Sequence, residues 1–443
     1  LRPPPRALAL MPSTPAAKLC VADASLLALP PLAAGEVPRP TGPRECSSIP
    51  VALPTSGPVG FNLFGVHDIY GRGTHVEPSP HADPFVMCTA VKVPPGFKLP
   101  FCAHPHCGAS VASIFFQGGA ILPWDNVNGT ESSPLLPGGI YHVDSGAGCV
   151  HDEPMEPISL RPRTRPGFAA DEPTSLPCEG ADDKTWMMQL WWNAIDMDAP
   201  VGTPLRPLVS QVVAPDEVPR DLNAVASGLL VRCLAGEYRA CTSALRATCT
   251  HPVLLLHVRV EPGADGTLGP LPSDHNGFAW VLDGEVLLGG TESGDGREGA
   301  GDRVVHAQHS AERGLVLLPP GGDTLRVRAA PGAERAAQVF IALGKPHRKP
   351  YVKYVGYGGA LIHRSVEEAM AAMEEYESDP RNFGRAAASA AAGAAAVQQQ
   401  QQQERMLAEM DGRYELVGGF QSNGGEMMER PEGVMARFKY REQ

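Results

Sequence analysis

Apolar and polar positions change texture several times along this chain. From Phe61 to about Leu205, short apolar stretches at 85–93, 113–116 and 186–192 alternate with turns rich in Gly, Pro and Asn. That pattern predicts many short strands and hence a β-sandwich or barrel. Residues 206–250 read as a mixed connection with a short helix around 222–234. A second strand-rich block follows from Pro252 to about Gly344, with strands expected at 253–260, 277–286, 314–318, 324–327 and 337–342. The two blocks match in length and texture, so an internal duplication is expected. Residues 365–376 (SVEEAMAAMEEY) form an amphipathic helix, with Ser365 as its cap and Glu368 completing a capping box; Asp379-Pro380 ends it. Residues 1–60, rich in Pro and Ala, read as a disordered leader. Residues 386–443, with an Ala tract and six consecutive glutamines, read as a low-complexity tail, unstructured or helical.

Composition narrows the function classes. At 443 residues the chain exceeds one small domain, and its 48 Gly and 45 Pro agree with many turns. A formal charge of −12 with no compact Lys/Arg block argues against direct binding of DNA or RNA. Ten cysteines without a CxxC pair do not make a disulfide framework and fit a reducing compartment. No apolar run reaches the roughly 18 residues of a membrane-spanning helix. The expectation is a soluble protein of the cytoplasm, the nucleus or both. Residues 1–22 carry Arg2, Arg6 and Lys18 with no acid and also suit a transit peptide.

Two histidine motifs carry the chemistry. His104-Pro105-His106 and His151-Asp152-Glu153 lie about 45 positions apart. Residues two apart in a strand face the same way, so each motif aims two metal-binding groups at one side of a sheet. Three imidazoles and one carboxylate suit a divalent first-row metal such as Fe(II). Spacing alone also allows ordinary surface or core histidines. Cys102 and Cys149 share the ligands' parity and are candidate pocket residues, with Cys107 beside them. His142 has the wrong parity and should face away. His67, His75 and His81 read as loop residues, and Trp186, Trp191 and Trp192 as core aromatics of which one could line the pocket. In the second block, His275 stands alone, His306 and His309 are three apart, and 321–327 (GGDTLRV) has no histidine; no second metal is expected there.

Several motifs, in order, resemble the pirin family. Asp83-Pro84-Phe85-Val86-Met87, followed by Gly96-Phe97 and the HPH motif, resembles the opening of pirins. Residues 138–153 (GGIYHVDSGAGCVHDE) are similar to their second metal motif, and Gln189-Leu190-Trp191-Trp192-Asn193 to their Gln-Leu-Trp-x-Asn strand. Residues 277–289 (GFAWVLDGEVLLG), 344–350 (GKPHRKP) and Asn382-Phe383-Gly384 complete a likeness over about residues 61–385. The resemblance implies an all-β bicupin, two antiparallel cupin β-barrels with metal only in the first. Its divisions are a metal-binding barrel at 61–205, a connection at 206–250, a second barrel at 251–345 and an extension with a helix at 346–385. It implies one Fe(II) on His104, His106, His151 and Glu153. Glu153 is also the candidate catalytic base. Two functions follow from the family: a quercetin 2,3-dioxygenase acting on flavonol-like enols, or a redox-sensitive nuclear coregulator that binds a transcription-factor protein. Where pirins commonly carry Arg-Gly-Phe-Glu after HPH, this chain has Cys107-Gly108-Ala109-Ser110, and Ala147 replaces an Arg between the glycines before the HDE motif. These departures predict a wider, less charged barrel mouth.

Overall fold

The computed structural model describes Gly42, Arg44 and residues 47–49, 60–64, 71–76, 82–93, 103–117, 120–131, 134–153, 155–156, 185–247, 249–289, 304–308, 315–356, 359–392, 414–418 and 436–440. His67, His81, Cys102, His309 and the glutamine run lie outside them, and for His75 and His306 only the backbone strand is described.

Period-two burial produces the expected all-β architecture. A six-stranded antiparallel sheet runs in the order Val209–Val213, Ile140–Asp144, Ala109–Gln117, Thr185–Asn193, Phe85–Val93, Gly60–Phe64. Its inward row, which includes Val111, Phe115, Tyr141, Val143, Met187 and Trp191, forms the core of the first barrel. The alternate row, including Ile114, Phe116, Met188, Leu190 and Trp192, packs against Leu255, Phe278, Trp280 and Phe340 of a seven-stranded sheet. Both faces of each large sheet are therefore buried, one inside its barrel and one between the barrels. This explains why Ala109–Gln117 is buried along its whole length. The second barrel is filled by a separate apolar cluster, including Leu229, Val258, Leu288, Leu318 and Ile341.

The two ends of the chain cross over. Within the segment read as a leader, Ser47–Ile49 pairs with Leu315–Leu318 of the second barrel. Arg44, 1% exposed, donates there to the carbonyls of His275 (2.7 Å) and Pro319 (2.9 Å) and also to that of Pro272. The leader reading thus fails for Arg44 and residues 47–49, because Arg44 gathers loop carbonyls and residues 47–49 add a strand to the second barrel. In the opposite direction, the extension supplies Tyr351–Gly356 and Gly359–His363, which join Gly71–Val76 beside the first barrel.

Three local expectations change. The connection holds a 3-10 turn, Leu222–Ser227, stopped by Gly228 at φ 75°, and then the strand Leu229–Ala235 in place of a helix to 234. Hydrophobic residues at 229, 231 and 233 have strand spacing, and they pack into the second barrel. Helix α1 (Val366–Ser378) is capped by Ser365, whose side chain accepts from the N–H of Glu368, as the box predicts. Glu368 itself reaches the N–H groups of Arg364 and Gly202, not the cap residue. In the tail, the Ala tract is helical in α2 (Arg385–Ala392), and the strands Tyr414–Gly418 and Ala436–Tyr440 pair as an antiparallel hairpin the low-complexity reading did not include.

Candidate metal centre

The HPH strand His104–His106 lies at the edge of a four-stranded sheet, beside the HDE strand Cys149–Asp152. An edge tolerates Pro105, which has no N–H to give to a neighbour. The register places His151 opposite His104 and Cys149 opposite His106. The strand Gly359–His363 closes the other side of the HPH segment. Ile362 donates to the carbonyl of Cys107 at 2.8 Å, and a Cβ on Gly359 would meet the carbonyl of Pro105 at 1.8 Å, so only glycine fits.

This packing brings the three histidines together as the spacing predicted. Their ligand atoms lie within 4.8 Å of one another, and all three rings are buried. The Nε2 atoms of His104 and His151 stand 3.2 Å apart. Two nitrogens each about 2.0–2.1 Å from one ion would be about 2.9 Å apart at a right angle and about 3.3 Å apart at the tetrahedral angle. The observed gap falls within that interval. His106 Nε2 is buried with no hydrogen-bond partner among the described residues. Its Nδ1 receives the N–H of Ala360 at 3.3 Å. Binding a cation through Nε2 would put the ring proton on Nδ1 and end that long contact.

Glu153 follows the HDE strand and is also buried, but it is not one of the three groups whose atoms converge. Gln189 donates its amide to Glu153 Oε2, while Oε1 has no partner among the described residues. Burial holds His106 and His151 well below the ordinary histidine range, with repulsion from neighbouring histidines adding to the effect, so both rings are neutral, as ligands must be. Burial pushes the Glu153 carboxyl up to about 7, against hydrogen bonds from Ser113 and Gln189 and with Asp152 adding to the rise. Three converging imidazoles form a donor set that could hold a metal ion, with the free oxygen of the Glu153 carboxylate as a further oxygen donor near them.

The remaining candidates divide by face. His142 points away from the site, as its parity required, and stacks on Trp192 at 5.3 Å, where burial lowers its pKa to about 3. Trp191 is the tryptophan beside the site, edge-on to His106 at 4.8 Å; Trp186 and Trp192 pack between the barrels. Cys149 is buried on the barrel's core side, and Cys107 lies in the outer cluster with Trp124, Val150 and Leu361. His275 is held by Asp274, 2.7 Å from its Nδ1.

Sequence reasoning missed Tyr141, Ser113, Gln189 and Thr89 as neighbours of the site. Ser113 pairs with Tyr141 on one side and Gln189 on the other, and Gln189 pairs with Thr89, a polar row across four strands. Gln189 stands between Met187 and Trp191 in an apolar inward row; that single polar position was the available signal.

Solved structures resemble this architecture. A quercetin 2,3-dioxygenase from Acinetobacter baumannii matches over 77% of this chain and 99% of its own, with TM-score 0.53 and 19% identity. The chain has the bicupin fold. Another quercetin 2,3-dioxygenase structure from that organism matches this bicupin over 76% of the chain and 90% of its own, with TM-score 0.50 and 16% identity. The bacterial pirin YhhW from Escherichia coli, in complex with nickel(II), covers 68% of the bicupin and 99% of its own chain at TM-score 0.41 and 10% identity. No protein-family model and no curated protein sequence matches the chain. Among the described residues, no helix of the bicupin is long and apolar enough to cross a membrane.

Proposed function

We propose that this bicupin is an iron-dependent oxygenase of the quercetin 2,3-dioxygenase type, acting on flavonol-like enols. The observation that carries the reading is the convergence of three buried imidazoles beside one buried carboxylate with a free oxygen. His104, His106, His151 and Glu153 would hold the metal, which when bound supplies Lewis acidity and one-electron chemistry. In the metal-free fold burial pushes the Glu153 carboxyl up to about 7, and Glu153 is the group that can accept the substrate's enol proton, at Oε1 when that oxygen is not on the metal, and return it later. Gln189 keeps Oε2 engaged, so a single oxygen is presented. Trp191 and Tyr141 wall the site with aromatic surface and keep water from the reacting oxygens.

The test is metal content by mass spectrometry on anaerobically purified protein, with His104→Ala and His151→Ala alongside, followed by O2 uptake with quercetin. Near-stoichiometric iron that is lost in both variants, with quercetin-dependent O2 uptake and CO release, is expected. Equal metal in all three proteins would refute the ligand assignment. The charge of −12 favours a second reading, a redox-sensitive coregulator that docks a basic protein partner. Iron without turnover would shift the assignment there, and partner affinity unchanged by metal removal would exclude it.

A further inference from the structure

Beyond the metal-binding groups, the first barrel holds buried polar atoms that no described residue satisfies. Tyr141 Oη, Trp191 Nε1 and Thr89 Oγ1 are buried and have no hydrogen-bond partner among the described residues. Leaving such a group unpaired costs about 1–3 kcal/mol, so folds seldom keep several together without a use. All three belong to the inward rows of neighbouring strands. Two of them sit on rings beside the histidine cluster: Tyr141 lies roughly parallel to His151 with centroids 6.5 Å apart, and Trp191 meets His106 edge-on at 4.8 Å. The indole N–H can only donate, and the two hydroxyls can each donate one hydrogen.

We propose that Tyr141, Trp191 and Thr89 form a substrate subsite that selects a planar organic ligand bearing an anionic oxygen, an enolate or a carboxylate. The donors outnumber the acceptors, which favours a ligand rich in acceptor oxygens. Aromatic rings on two sides favour a flat ligand. The subsite rests on the reading of this barrel as the reaction chamber, but it requires only binding, not turnover.

The test is calorimetric titration of the metal-loaded full chain, under nitrogen, with quercetin as the enol probe and benzoate as the carboxylate probe. Wild type is compared with Tyr141→Phe and Trp191→Phe. Each variant is expected to weaken at least one probe by about tenfold, the effect of losing one charge-assisted hydrogen bond, with metal content unchanged. The ligand-free Tyr141→Phe protein is expected to unfold at the same temperature as wild type or higher, because the hydroxyl has no partner among the described residues; a purely structural hydroxyl would cost stability when removed. Binding within twofold of wild type in both variants, or no binding of either probe to wild type, overturns the proposal. Tyr141-dependent quercetin binding without O2 uptake would keep the subsite and refute the dioxygenase. Turnover that ignores both substitutions would do the reverse.

Discussion

Replacing Phe383 by alanine should loosen the metal-binding strand from behind. Phe383 is fully buried in an outer cluster with Trp124, Val150, Leu361 and Tyr376, and meets Tyr376 edge-on at 5.5 Å. Its ring also covers Gly148, three residues before His151; a Cβ at Gly148 would lie 2.7 Å from the ring, so the strand and the ring fit only through that glycine. A buried Phe→Ala substitution costs about 3–5 kcal/mol, and losing an aromatic edge contact adds about 0.5–1.5 kcal/mol. Strand backbone and two large aromatic side chains wall the cavity and limit its collapse, which places the expected loss near 4 kcal/mol. With an m-value of about 3 kcal/mol/M, the urea midpoint of the metal-free protein should fall by about 1.3 M. Metal should also leave the variant faster in a chelator-competition assay. Asn126 provides a control on the same contact: its Oδ1 accepts from the N–H of Val150 at 2.8 Å, and its Nδ2 donates to the carbonyls of Arg381 (3.1 Å) and Phe383 (3.0 Å). Once Phe383 is truncated, Asn126→Ala should cost less than it does alone. A midpoint shift below about 0.3 M, or full additivity of the two substitutions, would show that no plug braces the site.

Other consequences follow from buried charge. The Glu153 carboxyl is raised in the fold from the usual 4.5 to about 7, so its neutral form stabilises the metal-free protein at low pH, and that stability is lost as pH rises from about 4.5 to 7. His106 and His151, held low, act in the opposite direction, so the comparison must be with Glu153→Gln. Relative to that variant, metal-free wild type should lose up to about 3 kcal/mol over this interval in urea titrations at several pH values, and a constant difference would contradict the assignment. Arg44→Met leaves the carbonyls of Pro272, His275 and Pro319 without their shared donor. It should cost at least about 2 kcal/mol in thermal or urea unfolding, and no loss would show that this segment does not dock.

Most of the architecture was legible because it depends on period-two alternation. The strand Val253–Val260 falls where its apolar residues placed it, and His104, His106 and His151 meet because the HPH and HDE strands obey strand parity. What could not be read depends on long-range contacts. Arg44 looks like any charge in a Pro-rich leader, and only carbonyls more than 200 positions away give it a role. Gly359 looks like a turn glycine, while its actual constraint is the carbonyl of Pro105. Gln189 was visible as part of a familiar motif, but its function depends on a carboxylate that follows a strand of another sheet.

The crossing of the chain ends has a further consequence during synthesis. All four proposed ligands have left the ribosome long before Gly359–His363 and Phe383 are made, yet these late residues brace the HPH and HDE strands. A nascent chain stalled at residue 345 would hold every ligand and no assembled centre. Metal capture should therefore be a late event, coupled to release of the finished chain, and a truncation after the second barrel should give a protein that never loads.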